Sequence, residues 1–419
     1  MSVIAAGAMN FALRFHLVDL ANSQPVSALP MRSGKTARLA FLDGIRALAA
    51  FYVVLDHHIT DMGSRLPTLL QRATFWMGFG HYAVDVFIVL SGYCLMLPID
   101  RDNGGRMPGG VLQYLRRRSL RILPPYFAAL ALSLLVIWAM HRPDHVTPGD
   151  LVTHLLVVHN FSSRWIWSIN PPLWSVAVEW QIYFAFPLLL LPAWRRLGAV
   201  GCVGLGLCLG MLPHFLLAPG NNFDWSFPWY LGLFGMGMAA VVETHRKLGD
   251  RPDGWYRRVC LMAAAAAFII VAFSTWRGNK LYQHNYVMDI LMGLATAAAL
   301  TWCGRHSLDQ RAANPPLLRF ISSKPLTMLG AMSFSLYLIH VPVWWMLEPV
   351  VSRLAPSPLR ELAFRMLVGV PVAILISYAF YRCIERPCMV RRDRASKPQS
   401  QTPRSSAKAK AKTEEPAIA

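Results

Sequence analysis

Charge is what this chain lacks most. Asp, Glu, Lys and Arg make up 15% of its 419 residues, where a soluble domain carries about 25%. With 55% hydrophobic residues, so little charge cannot clothe a soluble surface, and the balance points to a polytopic membrane protein. Acidic residues are the scarcer kind, and the formal net charge is +19. Basic residues gathered on one domain would suit a nucleic-acid partner. Here they sit in short loops between apolar stretches and in the tail, as cytoplasmic loops do, so no nucleic-acid partner is expected. The seven cysteines, at 94, 202, 208, 260, 303, 383 and 388, form no CxxC pair. The first five lie in or beside apolar stretches, where cysteine behaves as a small hydrophobe. Their odd number and placement argue against a disulfide framework and against zinc, and no metal is expected. No internal repeat is visible, which tells against a transporter built from inverted halves.

What is present is a series of apolar stretches of spanning length. They fall at roughly 40–60, 80–98, 120–140, 172–192, 198–218, 228–243, 259–275, 284–303, 327–349 and 362–384, each near the ~20 residues that cross a bilayer core. The expectation is an all-α polytopic membrane protein of about ten transmembrane helices. Lys and Arg are concentrated on one side of that topology, for example Arg116, Arg117, Arg118 and Arg121, then Arg195 and Arg196, then Arg246, Lys247, Arg251, Arg257 and Arg258. This bias places both termini in the cytoplasm. The stretch 151–161 carries His154 and His159 and is too short to span, so it reads as a non-spanning piece of the loop 141–171. Three regions follow: a weakly structured segment 1–37, a membrane domain 38–388, and a disordered basic cytoplasmic tail 389–419. In the first, Arg14, His16 and Asp19 interrupt any apolar run. The last is rich in Ser, Pro, Ala and Lys and cannot bury enough apolar surface to fold.

The stretch Phe41–Thr60 organises the rest. It reads as a spanning helix, yet it carries Asp43, Arg46, Asp56, His57 and His58. Ionisable groups within a membrane cost about 2.5–3.5 kcal/mol each at mid-helix, so they need partners, water or a function. Arg46 and His57 return to within ~20° of one face, ~16 Å apart along the axis. Asp43 is placed to pair with Arg46. Four further motifs follow in order: Asp85 to Tyr93 (DVFIVLSGY); Arg118 to Tyr126 (RSLRILPPY); Leu173 to Tyr183 (LWSVAVEWQIY); and Ser333 to His340 (SFSLYLIH). Ser91-Gly92 suits close helix packing better than nucleophilic attack. The arginines stand where the chain enters the membrane from the cytoplasm, and guanidinium groups bind phosphate oxygens in bidentate fashion. Ile384-Glu385-Arg386-Pro387 closes the series as a structural terminus, with Glu385 free to pair with a cytoplasmic Arg.

Taken together, over residues 39–388, these motifs resemble acyltransferase family 3, multi-pass membrane proteins that O-acylate sugars, many of them bacterial surface glycans. The Arg-x10-His spacing is that family's hallmark. In the fourth motif Trp180 stands where a second Glu is usual, so no carboxylate pair is available there. The resemblance implies an O-acyltransferase of the bacterial inner (plasma) membrane. It would move an acyl group, acetyl first, from cytoplasmic acyl-CoA to a hydroxyl of an exopolysaccharide or lipid-linked glycan. Separate glycan-biosynthesis proteins would be partners and membrane lipid its surroundings. It implies His57 as general base, oriented by Asp85 or Glu179, and a donor site at Arg46, Arg118 and Arg121. Asp43, Ser91, Tyr126, Trp174, Tyr337 and His340 would serve substrate or structural roles. The rival reading from a different class is a proton-coupled transporter or flippase with an intramembrane relay.

Overall fold

The computed structural model describes residues 39–101, 105–142, 146–217, 222–246, 253–276, 286–309, 313–355 and 357–389. The segment 1–37 and nearly all of the tail lie outside them. Among the described residues every regular element is helical: α1 Ala40–Thr60, α2 Thr68–Thr74, α3 His81–Arg101, α4 Gly110–Ala139, α5 Pro148–Leu155, α6 Leu173–Ala185, α7 Leu191–Leu216, α8 Tyr230–His245, α9 Asp253–Trp276, α10 Tyr286–Leu308, α11 Pro316–Ile321, α12 Lys324–Ala331, α13 Ser333–Leu354, α14 Pro358–Phe364 and α15 Val370–Phe380. A helix closes its backbone hydrogen bonds internally, and in hydrocarbon nothing else could satisfy them.

Eight helical stretches among the described residues are long and apolar enough to cross a membrane. The expected ten is reached only by counting α1, which its ionisable residues set apart, and by dividing Leu173–Leu216. That stretch has 44 residues, about 66 Å of helix against a bilayer core of ~30 Å. Gly198, at φ 71°, breaks it within α7. The short loop helix α5 begins at a capping box in which Thr147 and Asp150 bond each other reciprocally. Burial pushes the Asp150 carboxyl up, but the Thr147 bonds outweigh it, and the group sits below its ordinary range.

The core holds together by close backbone approach as much as by bulk. Gly92 of α3 faces Gly237 of α8; a Cβ on the first would overlap the Phe234 carbonyl, and a Cβ on the second the Val89 carbonyl. Ser91-Gly92 thus opens the tight helix contact expected of it, as small residues do in membranes. Gly44 of α1 and Gly330 of α12 have the same role, the former against the Ile321 carbonyl and the latter against the Asp43 carbonyl. A polar belt closes one end of the bundle. Arg365 is buried, with bonds to Asp61 at 2.6 Å, to Glu361 at 2.6 Å and to the His58 carbonyl at 3.0 Å, and it lies over the Trp344 ring. Arg65 joins Glu361 at 2.9 Å, and Arg142 joins Glu348 at 2.5 Å.

Candidate active site

Helices α1 and α3 run antiparallel: Arg46 of α1 meets Cys94 near the end of α3, and Asp56 lies against Gly80 just before α3 begins. This pairing separates two polar groups along α1. At the Arg46 end, Nη1 donates to Asp43 at 3.2 Å, as the spacing predicts, and Nη2 donates to Cys94 Sγ at 2.9 Å. Arg118 of α4 lies between the rings of Tyr114 (5.9 Å) and Tyr183 (5.6 Å). Arg121, one turn along the same helix, is within electrostatic range of Arg118, Arg46, Glu385 and Tyr183. Glu385 is buried in the π-helical turn Tyr381–Glu385 and accepts from Ser335 Oγ at 2.5 Å. Arg121 acts on it through space, without an ion pair.

Glu179 belongs to this end of the site. It accepts from Ser91 Oγ at 2.5 Å and from the Tyr183 hydroxyl. Its hydrogen bonds do not lead to His57. Four residues back on α6, Ser175 Oγ and the Tyr337 hydroxyl are 2.6 Å apart, a buried pair. Three residues further on α13 comes His340, and beside it His57. Glu179, Ser175–Tyr337 and His340–His57 therefore form successive polar steps from the arginines toward the far end of α1.

The imidazole pair fixes its own protonation. His340 Nδ1 faces the carbonyls of Leu336 (3.1 Å) and Tyr337 (2.9 Å). A carbonyl only accepts, so His340 carries its proton on Nδ1, and Nε2 is the bare nitrogen. That Nε2 lies 3.3 Å from His57 Nδ1, which is also 2.9 Å from the Val53 carbonyl. His57 must then hold its proton on Nδ1, shared between these two acceptors, and its Nε2 keeps a free lone pair. The arrangement fixes the tautomer of His57 and leaves its Nε2 as the acceptor nitrogen. The neighbouring His58 is a packing residue, buried edge-on against Trp344 with ring centroids 4.9 Å apart.

One site residue lies elsewhere than the motif reading placed it. Asp85 is not among the hydrogen-bond partners of His57. It lies with His81 and Asp289, because one turn of helix puts it on the same face of α3 as His81, and that face turns to α8 and α10. Trp174 stacks on His81 (5.7 Å) and packs on Phe227 (4.5 Å) in the same neighbourhood. Tyr126 is buried, and its hydroxyl donates to the His154 carbonyl at 2.9 Å, tying α4 to the loop helix α5. Tyr183 and Cys94 were not singled out from sequence. Tyr183 falls one turn after Glu179, a spacing that could have flagged it. Cys94 touches Arg46 only through tertiary packing.

A bundle of long apolar helices, with arginines at one end of a polar track and an imidazole pair at the other, defines a multi-pass membrane protein. Residues 39–382 match the acyltransferase domain profile of acyltransferase family 3, and the chain belongs to that family. It is similar to YrhL of Bacillus subtilis, 25% identical over 370 residues that cover 83% of this chain and 54% of that protein. It is also similar to the peptidoglycan O-acetyltransferase OatA of Listeria monocytogenes, 23% identical over 372 residues (83% and 55%). The O-acetyltransferase OatA of Staphylococcus aureus is 22% identical over 332 residues (72% and 50%). The chain thus spans about half the length of these curated relatives. No solved structure matches it.

Proposed function

We propose that this protein transfers an acyl group, acetyl first, from acyl-CoA on the cytoplasmic side to a hydroxyl of an extracytoplasmic glycan in the bacterial plasma membrane. The observation that carries the reading is the fixed tautomer of His57, whose bare Nε2 shares a helix with Arg46. In this reading the coenzyme phosphates rest on Arg46, Arg118 and Arg121, with both chain termini on the same, cytoplasmic side. The thioester arm follows the track past Glu179 and Tyr337. The acceptor hydroxyl oxygen attacks the thioester carbonyl carbon while its proton passes to His57 Nε2. The carbon–sulfur bond breaks, the ester forms, and the coenzyme thiolate leaves and recovers the proton. His340 positions His57 and Asp43 orients Arg46. No covalent acyl-enzyme is required.

The names of the relatives support acetyl as the group and a wall or surface glycan as the acceptor, an exopolysaccharide or lipid-linked oligosaccharide included. The transport reading has no observation of its own in its favour. Membrane vesicles of defined orientation, given radiolabelled acetyl-CoA on the cytoplasmic face, test the proposal. Label should enter extractable glycan with the natural protein and not with Arg46→Ala. A properly inserted natural protein that moves no label from acetyl, succinyl or longer donors would defeat it.

A further inference from the structure

A second polar cluster lies apart from the track, where α3, the start of α8 and α10 converge. His81 Nε2 is 3.2 Å from Asp289 Oδ1, on residues 208 positions apart. Trp229 Nε1 donates to Asp289 Oδ2 at 2.7 Å, which leaves Oδ1 directed at His81. The Tyr230 hydroxyl is 3.4 Å from His81 Nε2 and lies beside Asp85. One ligand atom each from His81, Asp85 and Asp289 lies within 4.8 Å of the others. Asp85 and Asp289 are both fully buried, and neither oxygen of Asp85 has a hydrogen-bond partner. Burying a carboxylate is costly in a protein interior, and the Tyr230 hydroxyl and His81 imidazole beside Asp85 offset that cost only in part. Here two carboxylates share one space with a single imidazole.

We propose that His81, Asp85 and Asp289 bind a divalent transition-metal ion of the zinc type. One imidazole and two carboxylates form a borderline nitrogen–oxygen donor set, which suits zinc and manganese better than calcium, whose sites are all-oxygen. The ion would cancel the two buried charges and take the coordinating place that Asp85 leaves unfilled. Trp229 holds the far oxygen of Asp289 and the stacked Trp174 ring fixes the plane of His81, as outer groups do around metal ligands. By joining α3 to α10 across the outer part of α8, the ion would brace the wall of the bundle. It takes no part in the transfer step, and its test does not depend on the acyl donor.

The experiment uses the full chain purified in detergent, stripped with a chelator and reloaded with zinc, manganese or calcium chloride. The expected result is about one tightly held zinc per chain, with a higher unfolding temperature on reloading and no response to calcium. Asp85→Asn and Asp289→Asn should each weaken zinc binding at least tenfold, whereas His57→Ala should leave it unchanged. X-ray absorption on the natural protein keeps the proposal testable if the variants do not fold. It should show only nitrogen and oxygen neighbours, at about 2.0–2.2 Å. A natural protein that stays substoichiometric after loading, a sulfur neighbour, or equal zinc in natural protein and folded Asp85→Asn would each overturn the assignment.

Discussion

Replacing His340 by Phe tests the tautomer argument where it is most exposed. The substitution keeps a planar ring of similar size in a fully enclosed position and removes the bare Nε2 that lies 3.3 Å from His57 Nδ1. His57 does not lose its proton assignment, because the Val53 carbonyl at 2.9 Å still accepts from Nδ1. What is lost is one of two acceptors that hold the imidazole. A hydrogen bond of this kind is worth about 1–1.5 kcal/mol, close to tenfold in rate. Removing the base itself costs about 100- to 10,000-fold. His340→Phe should therefore lower kcat by about tenfold, leave the KM for acyl-CoA unchanged, and leave the unfolding temperature near that of the natural protein, since no buried donor is orphaned. The assay is initial-rate acylation in proteoliposomes with both substrates varied. A loss as large as that of His57→Gln would refute the reasoning, because His340 would then be part of the base and not its support. Undiminished kcat would refute it from the other side.

Arg118→Lys should raise the KM for acyl-CoA several-fold and leave the acceptor KM unchanged, since an ammonium cannot reproduce a bidentate phosphate contact or lie flat between Tyr114 and Tyr183; steady-state kinetics with each substrate varied will show it. Gly92→Val should force α3 from α8 and cost about 3 kcal/mol or prevent insertion, because the Phe234 carbonyl occupies the space of the new side chain; thermal unfolding in detergent measures the loss. Arg365→Met should cost about 3 kcal/mol by leaving Glu361 and Asp61 without their buried partner, although Asp61 is 52% exposed and Arg65 still reaches Glu361. The same unfolding measurement checks it, and a loss under about 0.5 kcal/mol would show the network to be dispensable.

Much of the architecture was legible because the membrane enforces simple rules. Spanning length and scarce charge gave an all-helical polytopic bundle, and helical periodicity put Arg46 and His57 on one face of α1. The Asp43–Arg46 pair and the Ser91-Gly92 packing site also follow from local spacing. The count of spans is the harder part: read from sequence, 40–60 is a span and 172–192 is divided from 198–218, whereas by length and composition α1 falls outside the eight candidates and Leu173–Leu216 is one helical stretch broken at Gly198. Side-chain partners across helices were the least legible. Helix periodicity sets Asp85 on a face but not the helix that face meets, and it meets α10 at Asp289. Glu179 goes to Ser91 and Tyr183 for the same reason, and His340 takes the place beside His57 that a carboxylate was expected to fill. The doublet His57-His58 is resolved only by packing, with one ring on the polar track and the other against Trp344.

The most direct test of the account is single-turnover acyl transfer by His57→Gln. The glutamine amide can fill the site and bond to its neighbours but cannot take a proton. The account predicts normal expression and insertion, normal binding of acyl-CoA at the arginine end, and transfer slowed by at least about 100-fold. Transfer at the natural rate by a properly inserted His57→Gln protein would contradict it and remove the base from the centre of the site.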